Sequence, residues 1–251
     1  MQSRAWVAIV VVAVLSVGLT QAAEQDIEGF GEPDAKGFIT IFNGKDLTNW
    51  DGKEGLWSVK NGAIHGEQGR RSGNTFCIWR GGLITDCELM VTFRINNGNS
   101  GIQYRSVDLG NHVVSGYQAE VQNKKGKVGF LYGERGRGWL VSVGEKVVID
   151  EKGKKKVVGS LGDKMELTKD YQMKGWNTYR IVCRGNHIQH FLNGVQTIDL
   201  VDHCLDDPDA KKPNLKKGRL KGILALQLHG GGPMWVEFKD IKIKPLNTEA
   251  K

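Results

Sequence analysis

The chain has 251 residues, 34 of them Gly and 5 Pro, and a formal charge of +7. Gly stands at about twice its usual share, without the Gly-X-Y period of collagen. With 39% apolar and 25% charged residues, the composition excludes gross disorder and allows one sizeable core.

In chain order, Met1–Arg4 is a short basic start, and Ala5–Val17 is apolar apart from Ser16. Thr20-Gln21-Ala22 then places small residues before a cleavage point, so residues 1–22 read as a secretory signal peptide. The run of about 13 apolar residues is too short for the ~20 of a spanning helix, so no stable membrane span is expected. No Cys follows the run to carry a lipid anchor. A bacterial-type periplasmic or extracellular protein is expected, for which nucleic acid is not a partner. The Lys runs at 152–156 and 211–221 read as solvated loops.

Residues 23–36 form a polar lead-in expected to be flexible, 37–246 the domain, and 247–251 a tail. From Phe38 onward, short alternating runs predict strands at 38–42, 57–60, 63–66, 75–80, 87–95, 101–106, 117–123, 128–133, 140–143, 146–150, 178–184, 187–192, 195–200, 222–229 and 234–244. Asn61-Gly62 predicts a hairpin turn. Asp163 and Glu166 have capping-box spacing for one short helix near 164–171, and the Lys-rich stretch 151–175 reads as an insertion between strands. No β-α-β rhythm appears, so the fold class expected is all-β, a two-sheet antiparallel sandwich.

Four Cys follow the signal segment, and three connectivities are open to them. A hairpin at Arg80-Gly81-Gly82-Leu83 would bring Cys77 near Cys87, leaving Cys183 with Cys204; four buried thiols are the other reading. No C-x-x-C spacing or His/Asp/Glu cluster indicates a metal site, and no cofactor is indicated. His187 and His190 stand three apart on a strand and face opposite sides.

Several strands carry amides in register. One face of 117–122 holds Gln118, Glu120 and Gln122, against Tyr117, Ala119 and Val121 on the other. In 224–229, Leu224, Leu226 and Leu228 point inward and Ala225, Gln227 and His229 outward. Gln103 and Arg105 oppose Ile102 and Tyr104. Ordinary solvent faces are rich in Lys and Glu, whereas amides with a carboxylate, an Arg and a His suit sugar hydroxyls. A conventional glycosidase would need two flanking carboxylates, and this stretch supplies Glu120 alone. Asp86 and Glu88 alternate at a strand entrance and read as surface groups. Gly98-Asn99-Ser100-Gly101 lacks the helix that a nucleophile elbow requires.

The string Phe42-Asn43-Gly44-Lys45-Asp46-Leu47-Thr48-Asn49-Trp50 resembles the opening of the 3-keto-disaccharide hydrolase domain family. Gly98–Ile102 with Tyr104-Arg105, then Gly116-Tyr117-Gln118 with Glu120, is similar to its central block. Gly129–Gly133, Trp176–Tyr179, Leu192-Asn193-Gly194 and Leu226–Gly230 complete the series in order; Cys77 and Cys87 depart from it, standing where larger apolar residues are expected. The resemblance implies a concanavalin A-like or laminin-G-like jelly roll, a hydrolase in net outcome, acting on 3-keto-glycosides as its carbohydrate partner. A C3 ketone acidifies the C2 hydrogen, so one base can start an elimination that expels the C1 substituent, and water then adds. On that expectation Glu120 is the base, His229 the acid or alternate base, and Arg105 the enolate stabiliser. Gln103, Gln118, Gln122 and Gln227 would hold hydroxyls, Tyr132, Glu134 and Arg135 form a rim, and Trp139 stack on a sugar ring. The competing readings are a non-catalytic carbohydrate-binding module and a laminin-G-like adhesion domain.

Overall fold

The computed structural model describes residues 27–69, 73–208 and 210–246. The expected signal segment 1–22 and the tail 247–251 lie outside them. The strands in chain order are β1 (Ile39–Thr40), β2 (Trp50–Asp51), β3 (Trp57–Lys60), β4 (Ala63–Gln68), β5 (Thr75–Trp79), β6 (Cys87–Ile95), β7 (Asn99–Asp108), β8 (Val114–Gln122) and β9 (Leu131–Glu134). They continue with β10 (Gly138–Val141), β11 (Glu145–Ile149), β12 (Lys155–Ser160), β13 (Asn177–Arg184), β14 (His187–Leu192), β15 (Val195–Asp202), β16 (Ile223–Leu228) and β17 (Met234–Pro245).

Two sheets form. A seven-stranded sheet runs β10-β9-β8-β7-β16-β5-β2. A ten-stranded sheet runs β12-β11-β15-β14-β13-β6-β17-β4-β3, with β1 paired to β17. Among the described strands the ladders are antiparallel except that of β11 with β15. The alternating apolar residues of both sheets meet between them: Leu89, Val91 and Phe93 from one, Ile102, Ala119, Val121 and Leu226 from the other, all buried. This is the expected sandwich.

Local signals worked where they were complete. Asn61-Gly62 turns β3 into β4, with Lys60 opposite Ala63 and positive φ at both turn residues. Asp163 caps α1 (Lys164–Leu167), its carboxylate accepting from the Met165 and Glu166 amides. The helix ends before the expected residue 171.

Four expectations fail for tertiary reasons. The strand at 38–42 shrinks to Ile39–Thr40. The lysine-rich insertion contributes a strand, β12, at the sheet edge, where Lys155 and Lys156 are exposed. Lysine on an edge strand discourages further pairing. The third failure is the hairpin at 80–83: β5 and β6 lie in different sheets, and this segment crosses between them. Cys77 is therefore registered with Leu226, and Cys87 faces Cys183 across β6 and β13. All four cysteines are buried free thiols, in line with the second of the two cysteine readings. Asp86, expected at the surface, is the fourth: it is buried and paired with Arg105. Residues 27–36 of the lead-in lie along the domain, where the Glu28 amide donates to Gly81 O and Phe30 bridges to Thr40. Among the described residues no helix is long and apolar enough to cross a membrane.

Candidate active site

The outward face of the seven-stranded sheet carries the amide register. Gln103 on β7 lies opposite Gln118 on β8, and Gly101 lies opposite Glu120. Gly101 is required here, because any Cβ at that position would overlap the Gln118 side chain. The glycine makes room for a side chain of the site.

A cleft of about 330 Å³ opens on this face, floored by Gln118, Glu120 and Gln227. Gln122, Tyr132, Glu134, Trp139 and His229 line it too, so eight of the expected residues converge there. Asn74, Asn99 and Phe130 join them. Asn99 lies inside the Gly98–Ile102 motif and is not among the expected site residues. Asn74 precedes β5 and carries no recognisable sequence signal. Phe130 is the platform beneath Trp139: their rings stack at 3.8 Å between centroids and 9° between planes. Trp139 is half exposed, and its Nε1 donates to Ser142 Oγ at 3.1 Å, which holds a flat aromatic surface at the cleft mouth.

Glu120 is 2% exposed. Three side-chain amides donate to it: Gln118 at 2.7 Å on Oε2, and Asn99 at 3.0 Å and Gln122 at 3.1 Å on Oε1. The amides favour the ionised form, but burial outweighs them, and the nearby Glu134 charge adds to it. The Glu120 carboxyl is held above the usual glutamate range. Its backbone carbonyl accepts from Tyr179 Oη at 2.5 Å, which ties the position to the opposite sheet.

Glu134 at the end of β9 is also raised, mainly by burial, with Arg135, His229, Asn74 and Gln227 acting in the opposite direction. The 117–122 stretch supplies a single carboxylate, and the expected rim residue Glu134 brings a second from the neighbouring strand into the same cleft. His229 follows β16. Its Nδ1 lies 2.7 Å from Gly230 O. That contact requires a proton on Nδ1, so the neutral ring carries its lone pair on Nε2. Asn74 Oδ1 accepts from the Gly230 amide at 2.8 Å, and the Gln68 side chain donates to His229 O, which fixes this turn.

Three expected residues do not line the cleft. Gln103 is fully buried beneath it, donating to Gln118 Oε1 and accepting from Ser106 Oγ at 3.0 Å. Arg135 is exposed beyond β9 and reaches the site only through its charge. Arg105 is removed by a bulge. Register runs Tyr104 with Tyr117, then Val107 with Ser115, so β7 holds one extra residue there, and β16 sees the same insertion. Arg105 adopts φ 48° and turns away from the amide face. Its guanidinium donates to Thr85 O at 3.0 Å, Gly185 O at 2.6 Å and Asp86 Oδ1 at 2.8 Å, with no exposed surface. The residue is a structural clamp joining β7 to the segments before β6 and after β13. Among the described residues no three His, Cys, Asp or Glu converge as metal ligands would.

Two candidate glycosyl hydrolases from Parabacteroides distasonis ATCC 8503 share this fold. One is 20% identical, with a TM-score of 0.54 over 83% of this chain and 99% of its own. The other is 19% identical, with a TM-score of 0.51 over 89% of this chain and all of its own. No curated protein matches the chain. Residues 37–244 match the model of the 3-keto-alpha-glucoside-1,2-lyase-like domain, which spans the sandwich and every residue of the cleft. The chain therefore belongs to the 3-keto-alpha-glucoside-1,2-lyase-like domain family, a carbohydrate-active β-sandwich.

Proposed function

We propose that this domain cleaves 3-keto-glycosides by elimination across C1 and C2, with hydration of the product giving net hydrolysis. The observation that carries the reading is a buried carboxylate, Glu120, with raised proton affinity on the floor of an amide-lined cleft that also holds His229. Glu120 takes the C2 proton, which the adjacent ketone has acidified; a buried carboxylate is a stronger base than an exposed one. Electron density moves to the C3 oxygen, where side-chain amides such as those of Asn74 and Gln227 are the available donors now that Arg105 is excluded. His229, whose Nδ1 is held by Gly230 O, offers Nε2 as the position that would pass a proton to the departing glycosidic oxygen. Trp139 on Phe130 offers a stacking surface for a sugar ring. The family description, a 1,2-lyase-like domain, supports elimination as the first half of the reaction.

A second reading has one observation behind it: Glu120 and Glu134 share the cleft, and a two-carboxylate hydrolase needs such a pair. Incubation with a disaccharide and with its 3-keto derivative separates the readings. Release of sugar from the 3-keto compound alone is expected. Equal cleavage of both would replace elimination with conventional hydrolysis, and binding without release from either would make the domain a carbohydrate-binding module.

A further inference from the structure

Trp139 also lines a second cavity, of about 390 Å³, in whose wall Glu120 has no part. Lysines from two separate Lys runs meet there: Lys152 and Lys155 from the β11–β12 edge, and Lys216 from the loop before β16. Among the described residues their ammonium groups are in no salt bridge, and Lys216 Nζ donates to Gly136 O at 2.9 Å. Arg137 completes the wall, but its charge is taken by buried Asp202. Among the described residues no carboxylate lines this cavity, whereas two line the cleft that shares Trp139 with it.

We propose that this cavity is the subsite for the departing part of the substrate and that it selects a ring bearing an anionic substituent, a carboxylate or a sulfate ester. The inference rests on the elimination reading for the neighbouring cleft. The charge contrast sets the direction of binding. A neutral keto ring tolerates Glu120 and Glu134, whereas an anionic ring is repelled by them and drawn to the three lysines of the cavity that shares Trp139. Trp139 stands between the two, so a disaccharide crossing its face presents one ring to each cavity.

The experiment has a binding arm and a turnover arm, each run with glucosyl-glucose, glucosyl-glucuronate and glucosyl-glucose 6-sulfate. Calorimetry on the unoxidised sugars should show the anionic ones binding about tenfold tighter at low salt, an advantage that fades as salt screens it. The triple variant Lys152→Ala/Lys155→Ala/Lys216→Ala should bring the ratio close to one. Removing three lysines that line neither cavity (Lys45, Lys53 and Lys174) should leave it intact, which separates a subsite from net charge. Preference for the uronate over the sulfate, or the reverse, identifies the source of the charge. Equal affinity for neutral and anionic sugars, or a preference that survives the triple variant, overturns the proposal. Turnover of the 3-keto derivatives tests the reading beneath it. Cleavage without anion preference would remove the subsite and keep the elimination, while anion-selective binding without cleavage would do the opposite.

Discussion

Both sheets turn a polar face away from the shared core, and the two faces are built differently. On the ten-stranded sheet the outward residues are long and self-partnered. The Arg94 guanidinium lies 4.6 Å from the Trp176 ring centroid and 5.5 Å from that of Trp235, and pairs with Glu237 at 2.5 Å. Lys239 sits 4.5 Å from the Trp176 ring, and Arg180 3.9 Å from that of Phe191. These side chains lie down on their neighbours and cover the sheet while their charges reach water. On the seven-stranded sheet the polar groups are short amides and carboxylates, 0–2% exposed at Gln103, Gln118, Glu120 and Gln227. They are bonded to one another around an open cleft. A polar face that covers itself is a surface; a polar face buried beside unfilled space is a site.

Substitutions can break that contrast, and the largest effect is expected at Glu120. Glu120→Gln should lower kcat for a 3-keto-glycoside by about 10³-fold or more while leaving the melting curve near wild type, because Gln keeps partners among the surrounding amides. Wild-type-like turnover would remove Glu120 from the chemistry. Next, Arg105→Met should cost about 3–5 kcal/mol of stability, since it removes the cation from a buried ion pair with Asp86. Denaturant melts would read that loss, and turnover per folded molecule should survive far better than in Glu120→Gln. A collapse of kcat in protein that still melts cooperatively would return Arg105 to the site.

Trp139→Ala should raise KM about tenfold with a smaller change in kcat, the signature of a lost binding surface. On the other face, Arg94→Ala should cost about 1–2 kcal/mol through its lost stacking and ion pair, and leave kcat and KM unchanged. A catalytic effect there would dissolve the contrast between the faces. The pH profile carries the finest distinction. Because burial raises Glu120, kcat/KM should fall on acidification from a point above the ordinary glutamate range. Asn99→Ala removes a donor that favours the ionised form, so it should move that acid limb to still higher pH. A limb that moves down, or stays put, would show that another group controls it.

Most of the fold was readable before the structure. Strand alternation, Asn-Gly turns and the Asp163 cap are local patterns, and each rests on a backbone preference that a few residues express alone. The amide register on β8 and β16 was legible for the same reason: in a strand, every second residue must share a face. That rule put Gln118, Glu120 and Gln122 on one face of their strand and Gln227 and His229 on one face of theirs, and all five line one cleft.

The same rule misplaced Arg105, because alternation holds only while the ladder is regular. One inserted residue on β7 reverses the side to which Arg105 points, and nothing within six residues of it announces the bulge. The hairpin expected between Cys77 and Cys87 failed in a related way: a Gly-Gly pair allows a sharp turn but does not say whether the chain returns to its own sheet or crosses to the other. Asn74 reaches the cleft from a segment distant from Glu120 in sequence, and the three lysines that meet beyond Trp139 come from separate runs. Local spacing along the chain thus determined the strands, the two-layer architecture and the floor of the cleft. Sheet membership, the bulge and the second carboxylate were decided by tertiary structure, because each depends on which distant strand completes a ladder and closes the core.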